Sequence, residues 1–264
     1  PVTVHFLGAG PGAADLLTVR AARLLASSPV CVYAGTYLDA EVLSHCPPDA
    51  TLIDSAGLSL DEITAHLVAA HADGRDVARL CSGDPSLYSA LAEQARRLDR
   101  AGVPWDVTPG VPAYAAAAAI LGRELTVPQL AQTVILTRTQ AASTAMPESE
   151  SLERLAATGA TLVLHLAIRR TRELAGRLAA CYGPECPVAV VSRATQQDEL
   201  VLRGTLADIG DQVENAGLRQ AAVIIVGRAL AAEGFVDSHL YGTRIARRRS
   251  ADGVIPDLGD EDIR

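Results

Sequence analysis

Residues 79–94, RLCSGDPSLYSALAEQ, decide the fold. The stretch enters as a buried strand and leaves with helical spacing, so Gly83-Asp84-Pro85 is a strand-to-helix corner. Asp84 before Pro85 suits a helix N-cap followed by a first helical residue. The same corner also stands at the carboxyl end of a strand, where open parallel sheets bind ligands. Both readings stay open on this stretch alone.

Moving outward, the same pattern repeats. VTVHFLGAG (2–10) reads as a buried strand entering a turn, and DLLTVRAARLLASS (15–28) as a helix with Leu16, Leu17, Val19, Leu24 and Leu25 on one face. PVCVYAG (29–35) is a second strand. SLDEITAHLVAAHADG (59–74) is a helix in which Ser59 caps, Glu62 completes a capping box and Gly74 stops the run. After DVARLCSG (76–83), the segment 86–102 is predicted helical, 103–110 extended, and the small-residue run AYAAAAAILG (113–122) helical. A break comes at GRELTVPQLAQ (122–132). Strands are then predicted at 133–138, 160–167, 186–195 and 220–230, and helices at 151–159, 169–183 and 206–217. Alternation of this kind predicts an α/β fold with mostly parallel or mixed sheets. We read two α/β domains, 1–122 and 133–243, joined by a linker at 123–132, with the active site in the cleft between them. The segment 244–264, a basic block followed by an acidic one, reads as a solvated tail.

Composition narrows the chemistry. The chain has 264 residues, 49% of them hydrophobic, and no long uninterrupted apolar run, which predicts a globular protein with neither a membrane span nor a signal peptide. Five cysteines without CxxC spacing suit reduced thiols in a cytoplasm. Cys181 and Cys186 are close in sequence, but the six histidines are scattered, so no metal is expected. All 23 basic residues are arginine, which removes Schiff-base chemistry and a Walker lysine. A net charge of -8 with 3% aromatic residues lacks the basic, stacking-rich face of a nucleic-acid binder.

Two further corners bear on the ligand. GAGPG (8–12) suggests a dinucleotide loop, yet VCVYAG ends without the acidic residue that binds ribose, the fingerprint's last glycine is missing, and Pro11 deletes a backbone donor. A structural turn and a ligand loop fit it equally. TPGVPAYAAAAA (108–119) repeats the arrangement of the Gly-Asp-Pro corner one strand later, and its alanines permit close approach. Two such corners side by side favour a pocket over two coincidental caps. An NAD(P)-dependent oxidoreductase is the rival class.

FLGAGPGAADLLTVRAARLL, VYAGTYL, DVARLCSGDPSLYSALAEQ, VTPGVPAYAAAAA, RELTVPQLAQTVILTR and VLRGTLADI with AAVIIVGRAL, taken in order from residue 2 to about 240, resemble the tetrapyrrole methylases. The resemblance implies the class III methyltransferase fold, a homodimer, and S-adenosylmethionine held in the inter-domain cleft for transfer to a tetrapyrrole. Relatives that methylate diphthine precursors or ribosomal RNA fit these motifs and the acidic surface less well. Carried onto matching positions, the implied donor contacts are Pro11, Ser82, Gly83, Asp84, Leu87, Pro112, Ala113, Leu166, Ala194 and Ala222. Where the branch carries Gly-Arg after LTRT, this chain has Ala141 and Ala142, so that basic substrate contact is absent. Attack by an electron-rich tetrapyrrole carbon on an activated methyl is a direct displacement needing no strong base or metal. Alignment and exclusion of water supply the rate, up to about 7–11 kcal/mol. Arg138 and Arg169, after strand ends, are candidates for the substrate carboxylates. Asp15 and Tyr114 are candidates for proton movement, against the readings of a helix cap and a packed ring. His165, on an apolar strand, reads as a satisfied core residue.

Overall fold

The computed structural model describes residues 2–35, 38, 40–139 and 145–235. Five strands, β1 (Val4–Gly8), β2 (Val30–Tyr33), β3 (Thr51–Asp54), β4 (Val77–Cys81) and β5 (Trp105–Thr108), form one sheet in the order β3-β2-β4-β1-β5. Every pairing in it is parallel, with Val4 opposite both Val77 and Trp105. The central strands bury both faces, as a parallel sheet covered by helices requires. Phe6 packs on one side with Ile63 and Leu67 of α2 (Leu60–Ala72) and Leu98 of α3 (Leu91–Ala101). Leu7 packs on the other with Ala21 and Leu25 of α1 (Val19–Ser27).

A second sheet holds β6 (Val134–Arg138), β7 (Thr161–His165), β8 (Pro187–Ser192), β9 (Leu200–Thr205) and β10 (Ala222–Val226) in the order β6-β7-β10-β8-β9. Only β6 and β7 run parallel; the other three pairings are antiparallel. One face carries α5 (Leu152–Ala156), α6 (Thr171–Tyr182) and α7 (Ile209–Asn215) over Leu162, Leu164, Val188 and Ile224. The other is covered by α4 (Ala113–Leu121), whose Ala116, Ala117 and Leu121 pack with Val163, Val191 and Ile225. Thus α4 follows a strand of the first sheet and shields the second. The alanines serve that close contact.

Caps and breaks follow local chemistry, with three departures from the sequence reading. The Ser59–Glu62 capping box is present, with Glu62 Oε2 accepting from Ser59 N at 2.7 Å. The first helix begins later than predicted: Thr18 caps it by accepting from Ala21 N, while Asp15 lies in a separate 3₁₀ turn and caps nothing there. The third helix starts at Leu91, not Ser86, because Tyr88 and Ala90 both take left-handed backbone, with φ of 54° each, so Asp84 is not its cap. The sequence reading also lacks β3 and β9. Both are short, partly exposed strands in outer positions of their sheets. Among the described residues no helix is long and apolar enough to cross a membrane. The tail 244–264 and positions 141 and 142 lie outside the described residues.

Candidate active site

The carboxyl ends of β4, β1 and β5 lie side by side, bringing all three corners to one edge of the parallel sheet. Glycine is required there by crowding. A Cβ on Gly8 would stand 2.9 Å from the Gly83 carbonyl oxygen, and one on Gly110 would stand 2.7 Å from the Gly8 Cα. Gly83, at φ 66°, exchanges backbone hydrogen bonds with Gly10, N to O at 2.8 Å and O to N at 3.2 Å.

Asp84 is the brace of this arrangement. Its Oδ1 accepts from Ser86 N at 2.8 Å and from the Ser86 hydroxyl, and its Oδ2 accepts from Gly110 N at 2.8 Å. One carboxylate therefore fastens the second corner to the third. Burial pushes its pKa up, but the Ser86 hydroxyl and the Gly110 and Ser86 amides outweigh burial and hold it below the usual carboxylate value. Beneath it, burial pushes the Cys81 thiol up to about 11, which leaves it protonated and inert.

Facing the corners is a cavity of about 460 Å³ shared with the second sheet. Of the sequence candidates, Pro11, Ser82, Ala113, Leu166, Ala194, Ala222 and Arg169 line it. Gly83, Asp84, Leu87 and Pro112 are not in its wall; Gly83 and Asp84 shape the corners from behind. Arg138 lines a neighbouring cavity of about 620 Å³ that shares Thr139 and Arg170 with the first. Asp15 is exposed and outside the wall, and Tyr114 faces a shallow depression beside Arg123 and Glu124. Neither proton candidate reaches the cleft wall.

Three features were missed in sequence. A strap, residues 193–199, crosses from the second sheet to the Gly8–Gly12 corner: Thr195 Oγ1 accepts from Ala13 N at 2.9 Å, and Gln196 Nε2 reaches the Pro11 carbonyl at 3.5 Å. Arg193 and Thr195 hold φ of 47° and 67°, and Glu199 Oε2 pins the strap by accepting from Thr195 N at 2.7 Å. Gly12 is small because of this strap, since a Cβ would lie 2.9 Å from the Ala194 carbonyl oxygen. The second feature is Arg79, 7% exposed, whose guanidinium donates to Gln94 Oε1 at 3.0 Å, Ser55 Oγ at 3.1 Å and the Val32 and Leu80 carbonyls. Gln94 in turn donates to the Ser89 and Ala90 carbonyls, fixing the far end of the Gly-Asp-Pro loop. An arginine inside an apolar run signals such a network only in retrospect. The third is His165, which lines the cavity with its buried Nε2 unpartnered and its ring 5.4 Å from that of Tyr88. It is not the satisfied core residue expected.

A glycine-crowded sheet edge facing an apolar wall across a cleft suits a ligand held by backbone and covered by small side chains. Comparison with known proteins agrees. The family profile Tetrapyrrole (Corrin/Porphyrin) Methylases matches residues 3–210. The precorrin-4 C(11)-methyltransferase of Rhodococcus erythropolis is 60% identical over 240 residues, covering 91% of this chain and 96% of that one. The structure of a cobalt precorrin-4 methyltransferase of cobalamin biosynthesis superposes with a TM-score of 0.83 at 36% identity, covering 86% of this chain and 95% of that one. A uroporphyrin-III C-methyl transferase from Thermus thermophilus, solved with S-adenyl homocysteine, superposes with a TM-score of 0.74 at 29% identity, covering 87% and 99%. With the corners, the cleft and the profile match in agreement over most of its length, the chain belongs to the tetrapyrrole (corrin/porphyrin) methylases.

Proposed function

We propose that the chain transfers a methyl group from S-adenosylmethionine to carbon 11 of precorrin-4, giving precorrin-5 in cobalamin biosynthesis, and that it works as a cytoplasmic homodimer. In this reading the two sheets are two domains, 1–122 and 133–243, joined at 123–132. The observation that carries it is the cleft between the sheets, walled by Pro11, Ser82 and Ala113 of the three corners and by Leu166, Ala194 and Ala222 of the second sheet, in a chain 60% identical to a precorrin-4 C(11)-methyltransferase.

The residues fit the donor. The absence of a Cβ at Gly8 and Gly110 lets the corners pack directly on one another, which sets Pro11, Ser82 and Ala113 side by side in the cavity wall, while Leu166, Ala194 and Ala222 provide an apolar bed opposite. Bound there, S-adenosylmethionine supplies a methyl group already activated by its sulfonium. The protein's part is placement: Asp84 locks two corners together and the strap ties the second sheet to the first, which fixes the two walls between which donor and acceptor meet. Arg169, whose Nε donates to the Arg219 carbonyl at 2.9 Å, stands at the cavity rim, and Arg138 lines the adjoining cavity. These guanidiniums suit the acceptor's carboxylates.

The test is incubation of the purified protein with precorrin-4 and donor carrying a ¹³C methyl. One labelled methyl bonded to carbon 11, found by NMR, is expected. No transfer to the tetrapyrrole, or transfer to another carbon, overturns the assignment.

A further inference from the structure

C-methylation by a sulfonium carries a charge requirement that the proposed function leaves unassigned. The sulfur–methyl bond breaks and its electron pair stays on sulfur, while a π pair of the acceptor forms the new carbon–carbon bond. A neutral acceptor thereby takes on the positive charge that the sulfonium loses. Release of one pyrrolic N–H proton, whose bonding pair returns to the conjugated system, restores neutrality. A base placed at the cleft would take that proton directly, without waiting for solvent.

The cavity wall offers one. Among the described residues that line it, the other polar side chains are hydroxyls, amides and guanidiniums, and none of these accepts a proton near neutral pH. His165 is the exception. Its Nε2 is buried and makes no hydrogen bond, so its lone pair or proton is uncommitted. Its ring lies against Tyr88, which sits on the Gly-Asp-Pro corner, is 46% exposed and holds left-handed backbone. An unpartnered buried nitrogen costs stability, and a left-handed tyrosine costs more. Both costs fall on the same contact, at the cleft.

We propose that His165 takes the proton leaving the acceptor at methylation, with Tyr88 as the cover that keeps water off the imidazole until the acceptor displaces it. The proton moves from the pyrrolic nitrogen to Nε2, giving an imidazolium that returns it to water as product leaves. The surroundings keep the imidazole in its receiving form. Burial lowers its pKa. The charged and titratable groups about it are Tyr88 on the corner, Arg138 as its register partner on β6, Glu150 near Tyr88, and Arg169 and Arg170 in the turn that follows.

The inference rests on the methyltransferase reading, and two measurements keep them separate. In the donor-free protein, NMR titration of His165 should give a midpoint below the ordinary histidine value of about 6.5, moving upward in Tyr88→Ala as water reaches the ring. In single turnovers with precorrin-4, the wild-type rate should fall as acid protonates His165. His165→Gln should be slower by about a hundredfold or more and lose that acid limb, with donor affinity by calorimetry unchanged. A wild-type rate that does not fall across the pH range in which NMR shows His165 becoming protonated, or a His165→Gln rate equal to wild type, overturns the proton role and leaves the methyltransferase reading standing. Absence of methyl transfer by the wild type overturns both.

Discussion

At the scale of single residues, the Gly-Asp-Pro corner shows how much one carboxylate does. Asp84 looks like a helix cap from its neighbours, and on that reading asparagine would replace it well. In the structure it accepts from donors on two different corners, and an amide side chain has only one acceptor oxygen. Asp84→Asn should therefore lower stability by about 1.5–3 kcal/mol and weaken donor binding, as read by denaturant unfolding and calorimetry. The pH dependence has a fixed sign. A folded pKa held below the unfolded value near 3.9 means the stabilisation is present above about pH 4 and is lost as pH falls through the lower folded value. The gap in stability between wild type and Asp84→Asn should close over that acid range; a gap independent of pH would contradict the brace. Gly110→Ala should be harsher, abolishing donor binding because its Cβ cannot clear Gly8. That this corner stands beside a cavity was legible from the residues, and Ser82 lines it. The carboxylate's partner, 26 positions away, was not, because local spacing says nothing about which loops meet.

At the scale of elements, central strands and capped helices were legible because their chemistry is local. The strands β1, β2, β4, β7, β8 and β10 are apolar runs, and α2 carries its own start and stop. The edges were not. β3 is four residues long with only Ile53 partly buried, and β9 alternates weakly, so neither stands out by pattern, and both are strands because a neighbour offers them hydrogen bonds. The strap 193–199 is likewise invisible in sequence, since its fold depends on Ala13 and Pro11. Thr195→Val keeps the shape and removes the oxygen that accepts from Ala13 N. It should speed donor dissociation by about three- to tenfold in stopped flow, consistent with a hydrogen bond worth about 0.5–1.5 kcal/mol, and leave the melting temperature nearly unchanged. A large melting shift with an unaltered off-rate would assign the strap to stability alone. Gln94→Leu should do the reverse, destabilising the fold by removing an acceptor from the buried Arg79 guanidinium.

At the scale of the whole molecule, the proposed function assigns donor and acceptor to different chemistry. In the proposed reading small side chains bed the donor and guanidiniums at the cavity rim and in the adjoining cavity take the acceptor; all 23 Lys and Arg positions of the chain are arginine. Arg138→Gln and Arg169→Gln should each raise the precorrin-4 concentration needed for half-maximal turnover by about ten- to a hundredfold, with donor affinity by calorimetry unchanged. Added salt should produce the same change in the wild type. If both variants turn over precorrin-4 as the wild type does, the acceptor engages another part of the cleft. The distance in sequence between the strap and the corner it closes, 182 residues from Ala13 to Thr195, also orders events during synthesis. Strands β1 to β5 can pair while the ribosome is still elongating the second half. At roughly 5–20 residues per second, the wall that completes the cleft emerges many seconds later. A nascent chain stalled before residue 187 then carries a formed parallel sheet with no β8 or strap against it, so ligand capture on the ribosome would mark the moment the second sheet closes.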